Sequence, residues 1–198
     1  TYKSPYIAKY SSTGGLVWAF CYNSTVITNH DVGLGIDVVA SDNLYVCGGK
    51  SDSVDMDPGS GVVIKPGRAF IAKFTSGGSY LWAHAFSSSG TITEFLSLKI
   101  DPAGKVVIGG AYNDMLDMDP SSGVNFLPHI STLTSWRSEF IAKYASDGTF
   151  IWATTTNLTV TYGGSATLGI ACYGSDKIYI GGKMGNYNFA KLTYGPAK

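Results

Sequence analysis

YIAKYSSTGGLVWA (6–19) returns as FIAKFTSGGSYLWA (70–83) and again as FIAKYASDGTFIWA (140–153). Three copies of one pattern in a single chain mark an internal repeat, and a period of this size decides the fold before any isolated motif does. The landmark tryptophans Trp18, Trp82 and Trp152 stand 64 and 70 residues apart. Between them lies a second recurring unit, GIDVVASDNLYVCGG (35–49), LSLKIDPAGKVVIGG (96–110) and GIACYGSDKIYIGG (169–182). A third, VDMDPGSG (54–61), recurs as LDMDPSSG (116–123), its first aspartate each time seven residues after a matched glycine, Gly48 or Gly110. The third repeat lacks it. NFAKLTYG (188–195) reads as a fourth, degenerate copy of the first strand and its turn.

Each repeat resolves into four strands. Strand a is GIDVV, LSLKI or GIACY; strand b is LYVCG, VVIGG or IYIGG; strand c is the IAKY run and strand d the LVWA run. Side chains alternate across a strand, so Ile7 and Lys9 share one face while Ala8 takes the other, and Ile36 and Val38 oppose Asp37. Gly-, Asp- and Asn-rich turns close each hairpin: SSTGG, TSGG and SDG between c and d; ASDN, DPAG and YGSD between a and b. Four antiparallel strands per repeat predict an all-β chain of β-propeller-type blades, about three per chain. It forms a single repeat array over 1–198, with repeats at about 5–66, 67–136 and 137–198. Expected packing positions between blades are the three tryptophans with Ile36, Leu98, Ile170, Val38, Ile100 and Cys172. Cys172 is expected in the core as a small hydrophobe.

In order and content these motifs resemble the bacterial SBBP-type β-propeller repeats, which run as an FIAKY-like strand, a Gly turn, an LxWA strand, a VYVTG-type hairpin and a DFDPG-like segment. The likeness covers nearly the whole chain. It implies an exported or cell-surface protein, and more about fold than about chemistry. Cys47 stands where such repeats commonly carry Thr, and MGNYNF (184–189) replaces the DMDP segment of the third repeat.

Counting from the first residue, the chain supplies strands c and d, two full abcd sets, then a, b and a c-like strand, about thirteen strands in all. Propellers close with four or more blades. Three are not expected to close alone, so the c and d strands at one end are expected to join the a and b strands of another copy. Such association gives a ring if the rotation closes and a filament if it does not; the alternative expectation is that the chain is part of a longer array.

Composition agrees with a folded, neutral chain. Of 198 residues, 44% are hydrophobic, 25 are glycine and 14% are charged, with fourteen basic residues balancing fourteen acidic ones. That balance removes the basic footprint phosphate-backbone binding needs, so nucleic acid is not expected as a partner. Only Glu94 and Glu139 are glutamates, and strong helix formers are scarce. No apolar run approaches the eighteen residues of a membrane-spanning helix, so no membrane insertion is expected. Three cysteines, Cys21, Cys47 and Cys172, lack CxxC spacing, and their odd number rules out a complete set of internal disulfides.

Candidate sites are few. Asp55, Asp57, Asp117 and Asp119 lie in the DMDP segments, where clustered carboxylates suit calcium but Asp before Pro-Gly or Pro-Ser also initiates a turn; both readings stand. No other metal and no cofactor is expected. Asn23 and Asn157 open N-glycosylation sequons, each five residues after its repeat tryptophan. SDGTFIW (146–152) is similar to the Asp box of sialidases but is spaced differently. With Arg68 and Arg137 the only arginines, a three-arginine carboxylate clamp cannot form. His30, His84 and His129 share no ligand spacing, and no HExxH, GxSxG or P-loop run is present. His84 reads as a strand residue. Lys9, Lys73 and Lys143, which recur at one position, read as part of each repeat's own packing. The sequence therefore points to a non-enzymatic extracellular structural or adhesive protein that associates with itself. The alternative is a glycan-binding propeller module of a larger exported protein, stacking sugars on Tyr112, Tyr162 or Tyr187.

Overall fold

A computed structural model describes residues 5–22, 32–50, 53–88, 93–128, 137–155, 166–174 and 177–183, with the side chains of 32–34 outside it. Among these residues the protein is all-β, with antiparallel sheets and no helix. In chain order the strands are β1 Tyr6–Tyr10, β2 Leu16–Cys21, β3 Val32–Val38, β4 Leu44–Gly49, β5 Val54–Asp55, β6 Ile64–Lys65, β7 Ala69–Phe74 and β8 Tyr80–Phe86. They continue as β9 Thr93–Ile100, β10 Val106–Tyr112, β11 Leu116–Asp117, β12 Phe126–Leu127, β13 Ser138–Tyr144, β14 Phe150–Thr155, β15 Ala166–Tyr173 and β16 Lys177–Lys183.

Two complete sheets result, β3-β4-β7-β8 and β9-β10-β13-β14, each in the predicted order a-b-c-d. Two hairpins flank them: β1-β2, which is a c–d pair, and β15-β16, which is an a–b pair. The c-like run at 188–195 lies outside the described residues. Sequence periodicity missed the small hairpins β5-β6 and β11-β12, which tie off the DMDP segments, because two-residue strands are too short to show a period.

One turn geometry closes every c–d hairpin. Ser11, Thr75 and Ala145 each donate their N–H to the carbonyl four residues on and accept from the N–H three residues on. The fourth residue of each turn takes positive φ and is glycine: Gly14 (85°), Gly78 (86°) and Gly148 (90°). In the a–b turns the same place is held by Gly104 (77°) and by Asp42 (60°), aspartate being one of the few side chains that tolerate it.

The inner strands of the first complete sheet, β4 and β7, are buried on both faces, and their alternating residues serve two cores. Tyr45, Cys47, Ala69 and Ile71 face the second sheet, joining Phe95, Leu98, Ile108, Phe140 and Tyr144. Leu44, Val46, Phe70, Ala72 and Phe74 face the β1-β2 hairpin, joining Ile7, Tyr22 and the flanks of Trp18 and Phe20. Strand β9 packs on β3 and β4, and β15 packs on β9 and β10, so the a strands follow one another through the stack. Close approach there requires glycine: a Cβ on Gly35 would lie 2.7 Å from the Cys47 sulfur and 2.8 Å from the Leu98 backbone nitrogen.

Burial corrects two expected packing positions. Leu98 is buried and Ile100 packs against the core, but Ile36 and Val38, at the matching places on β3, are 58% and 50% exposed. Their side chains point away from the second sheet toward a preceding unit in which only β1-β2 is found among the described residues, with no a or b strand there to cover them. Cys172 is half-buried rather than a core residue; the fully buried thiol is that of Cys47.

Candidate self-association surface

A repeated clasp joins consecutive units. The Trp18 indole Nε1 donates to the carbonyl of Ser76 at 3.0 Å, and Lys9 Nζ donates to the same oxygen at 3.2 Å. One repeat on, Trp82 Nε1 and Lys73 Nζ donate to the carbonyl of Ser146 at 3.3 and 2.9 Å. In both cases the acceptor is the second residue of the next unit's c–d turn. The indole also lies against that turn's glycine: a Cβ on Gly78 would sit 3.3 Å from the Trp18 ring, and one on Gly148 would sit 3.3 Å from Trp82. Glycine thus serves twice, for its φ and for the ring's approach. Lys9 and Lys73, two of the three recurring lysines, belong to this inter-unit packing, and the Lys73 ammonium also lies 4.9 Å over the Tyr45 ring.

At the two ends of the stack the clasp is half-made. In the β1-β2 turn, a Cβ on Gly14 would meet nothing within 4 Å. At the other end, half-buried Trp152 on β14 shows no hydrogen bond from its indole among the described residues. Lys143 turns to Asp101 instead, at 2.7 Å, in an ion pair whose side chains are 9% and 2% exposed. Burial alone would raise the Asp101 carboxyl. The Lys143 ammonium and the backbone N–H groups of Lys105 and Ala103 outweigh it and hold the group below the usual carboxylate range.

The same two ends expose strand edges and apolar side chains. Among the described residues β1 pairs only with β2, and β16 only with β15. Tyr6, Tyr10, Leu16 and Val17 are exposed at one end, and Leu168, Tyr179 and Ile180 at the other. A cleft of about 240 Å³ opens beside β1, with Ile36 and Val38 on its far wall.

The other candidate residues lie away from this surface or outside the described residues. Asp55 Oδ1 accepts the N–H groups of Asp57 and Val63, and Asp117 Oδ1 accepts those of Asp119 and Asn125. Asp57 and Asp119 accept in turn from Gly59 and Ser121. These carboxylates are the hubs of two matching turns, and no cluster of three or more His, Cys, Asp or Glu suited to a metal ion occurs among the described residues. Tyr112 is fully buried, its hydroxyl donating to the Pro128 carbonyl at 2.7 Å, so it is no stacking platform; it ends a strand rather than lying in a loop. Asn23, Asn157, Tyr162, Tyr187, His30 and His129 lie outside the described residues. His84 is a strand residue, as expected, stacked beside Trp82 with ring centroids 5.2 Å apart; burial, then the Lys65 charge, lowers its pKa. A polar cleft of about 590 Å³ at the turn end holds charges already engaged: Asp37 pairs with Lys99 at 2.9 Å and accepts the Ile100 N–H at 2.8 Å.

No protein-family model matches this chain, and no curated protein matches it.

Proposed function

We propose that this chain is a β-propeller-type array of about three blades, of the SBBP-like kind its motifs resemble, and that it acts outside the cell as a non-enzymatic structural or adhesive protein by associating with itself. One observation carries the reading: an a–b hairpin at one end of the stack and a c–d hairpin at the other are the two halves of the four-stranded sheet that the chain builds twice in full. Among the described residues each copy therefore holds two complete four-stranded sheets and two halves, so two copies amount to six such sheets. The succession of a strands through the stack supports wedge-like packing about an axis. Large apolar side chains left exposed at both ends supply the driving force for association. Light scattering with negative-stain microscopy at micromolar protein tests the proposal. Rings or fibres are the expected result, and a strict monomer at every concentration overturns it.

A further inference from the structure

Resting on the self-association just proposed, we infer that the partner is a second copy bound in one register, with the β1-β2 hairpin of one molecule adding to the β16 edge of another as the c–d half of a shared sheet. The register follows from the two complete sheets. There β4 pairs with β7 as Tyr45↔Lys73, Val46↔Ala72 and Cys47↔Ile71, and β10 pairs with β13 as Val107↔Lys143, Ile108↔Ala142 and Gly109↔Ile141. The matching residues on the edges that no strand pairs among the described residues are Tyr179, Ile180 and Gly181 on β16 and Lys9, Ala8 and Ile7 on β1. The shared sheet pairs Tyr179↔Lys9, Ile180↔Ala8 and Gly181↔Ile7.

Two further features, neither used in setting that register, are completed by the same placement. The hairpin's turn comes to lie against Trp152, as the turns at Gly78 and Gly148 lie against Trp18 and Trp82, which brings the indole N–H to the Ser12 carbonyl and fills the space over Gly14. Ile36 of the incoming copy then meets Gly181. The matching contact within the chain is Ile170 against Gly109, where a Cβ would lie 3.3 Å from the Ile170 methyl, whereas a Cβ on Gly181 meets nothing within 4 Å. The β16 strand itself occupies the cleft beside β1, in front of Ile36 and Val38. The contact is head-to-tail, each copy using a different surface at each end.

Cross-linking tests the register in the full chain carrying Cys21→Ser and Cys172→Ser, with buried Cys47 kept and self-association of this background verified first. Ala8→Cys and Ile180→Cys are placed in separate chains, mixed and oxidised. Directly opposed residues of an antiparallel ladder lie about 4.5–5.5 Å apart at Cα, within disulfide reach. The expected result is a disulfide-linked dimer from that mixture and none from Ala8→Cys with Tyr179→Cys, because neighbouring residues point to opposite faces. Trp152→Ala is expected to weaken assembly by about tenfold or more without lowering the melting temperature of the dilute protein. Association that persists with no Ala8–Ile180 bridge overturns the register while leaving self-association standing; absence of association in the unmodified chain removes both. An internal bridge in a single Ile180→Cys/Ala190→Cys chain, formed in place of the intermolecular one, assigns the β16 edge to the chain's own FAKL run and also overturns the inference.

Discussion

Lys143 and Asp101 show how a single pair reports on its surroundings. With both side chains almost fully covered, Asp101→Ala removes the ion-pair partner of a buried ammonium, and the expected loss is about 3–5 kcal/mol in chemical denaturation. The Asp101 carboxyl is held below its unfolded value, so its contribution is complete above about pH 4 and disappears as pH falls through the folded value. Wild type should lose stability over that acidic interval more steeply than Asp101→Asn. His84 has its folded pKa lowered by burial and by Lys65, so the folded state resists protonation. Its penalty begins as pH drops below the unfolded value near 6.5 and stops growing below the folded one. Melting curves between about pH 7 and pH 5 should therefore flatten in His84→Gln; an unchanged slope would show that the imidazole carries none of the dependence. At this scale the sequence discloses local turn chemistry and conceals what depends on distant residues. The turn-forming role of Asp57 and Asp119 was legible because Asp-Pro chemistry is local; that of Asp55 and Asp117 was not, since each accepts an N–H from eight residues on. The burial of Tyr112 was not, since it depends on where Pro128 returns to meet its hydroxyl.

At the scale of elements, hairpin turns of common geometry differ in what surrounds them. Gly104 and Gly148 both hold positive φ, but a Cβ on Gly104 meets nothing within 4 Å, while one on Gly148 would lie 2.6 Å from His84 Nε2 and 3.3 Å from the Trp82 ring. Gly104→Ala should cost about 1–2 kcal/mol from backbone strain alone, and Gly148→Ala measurably more, by thermal denaturation of the two variants side by side. Equal losses would show that the indole does not rest on the turn. All twelve long strands were legible as a, b, c and d because each repeat restates the same alternation with the same turn chemistry, and short turns pair a with b and c with d; the b–c pairing bridges the longer connections 50–68 and 113–137. The exposure of Ile36 and Val38 was not legible. Their sequence matches that of buried Leu98 and packed Ile100, and only the neighbour differs.

Across the whole molecule, stability and assembly are linked. If folded copies bind one another and unfolded ones do not, mass action raises the apparent melting temperature with concentration. A measurable rise is expected between about 1 and 100 µM, and coincident curves over that span would contradict association of the native state. Gly14→Asn separates the two properties, since asparagine accepts positive φ but its side chain would occupy the space assigned to the partner's Trp152. The variant should melt like wild type when dilute and fail to assemble when concentrated. Cys47 lies between the two complete sheets with no exposed surface, and burial pushes its thiol pKa far up. An alkylating reagent can reach that sulfur only when the layers separate, so its labelling rate is a clock for breathing of the central seam. Slower labelling in concentrated samples would reveal that contacts at the extremities are felt in the middle.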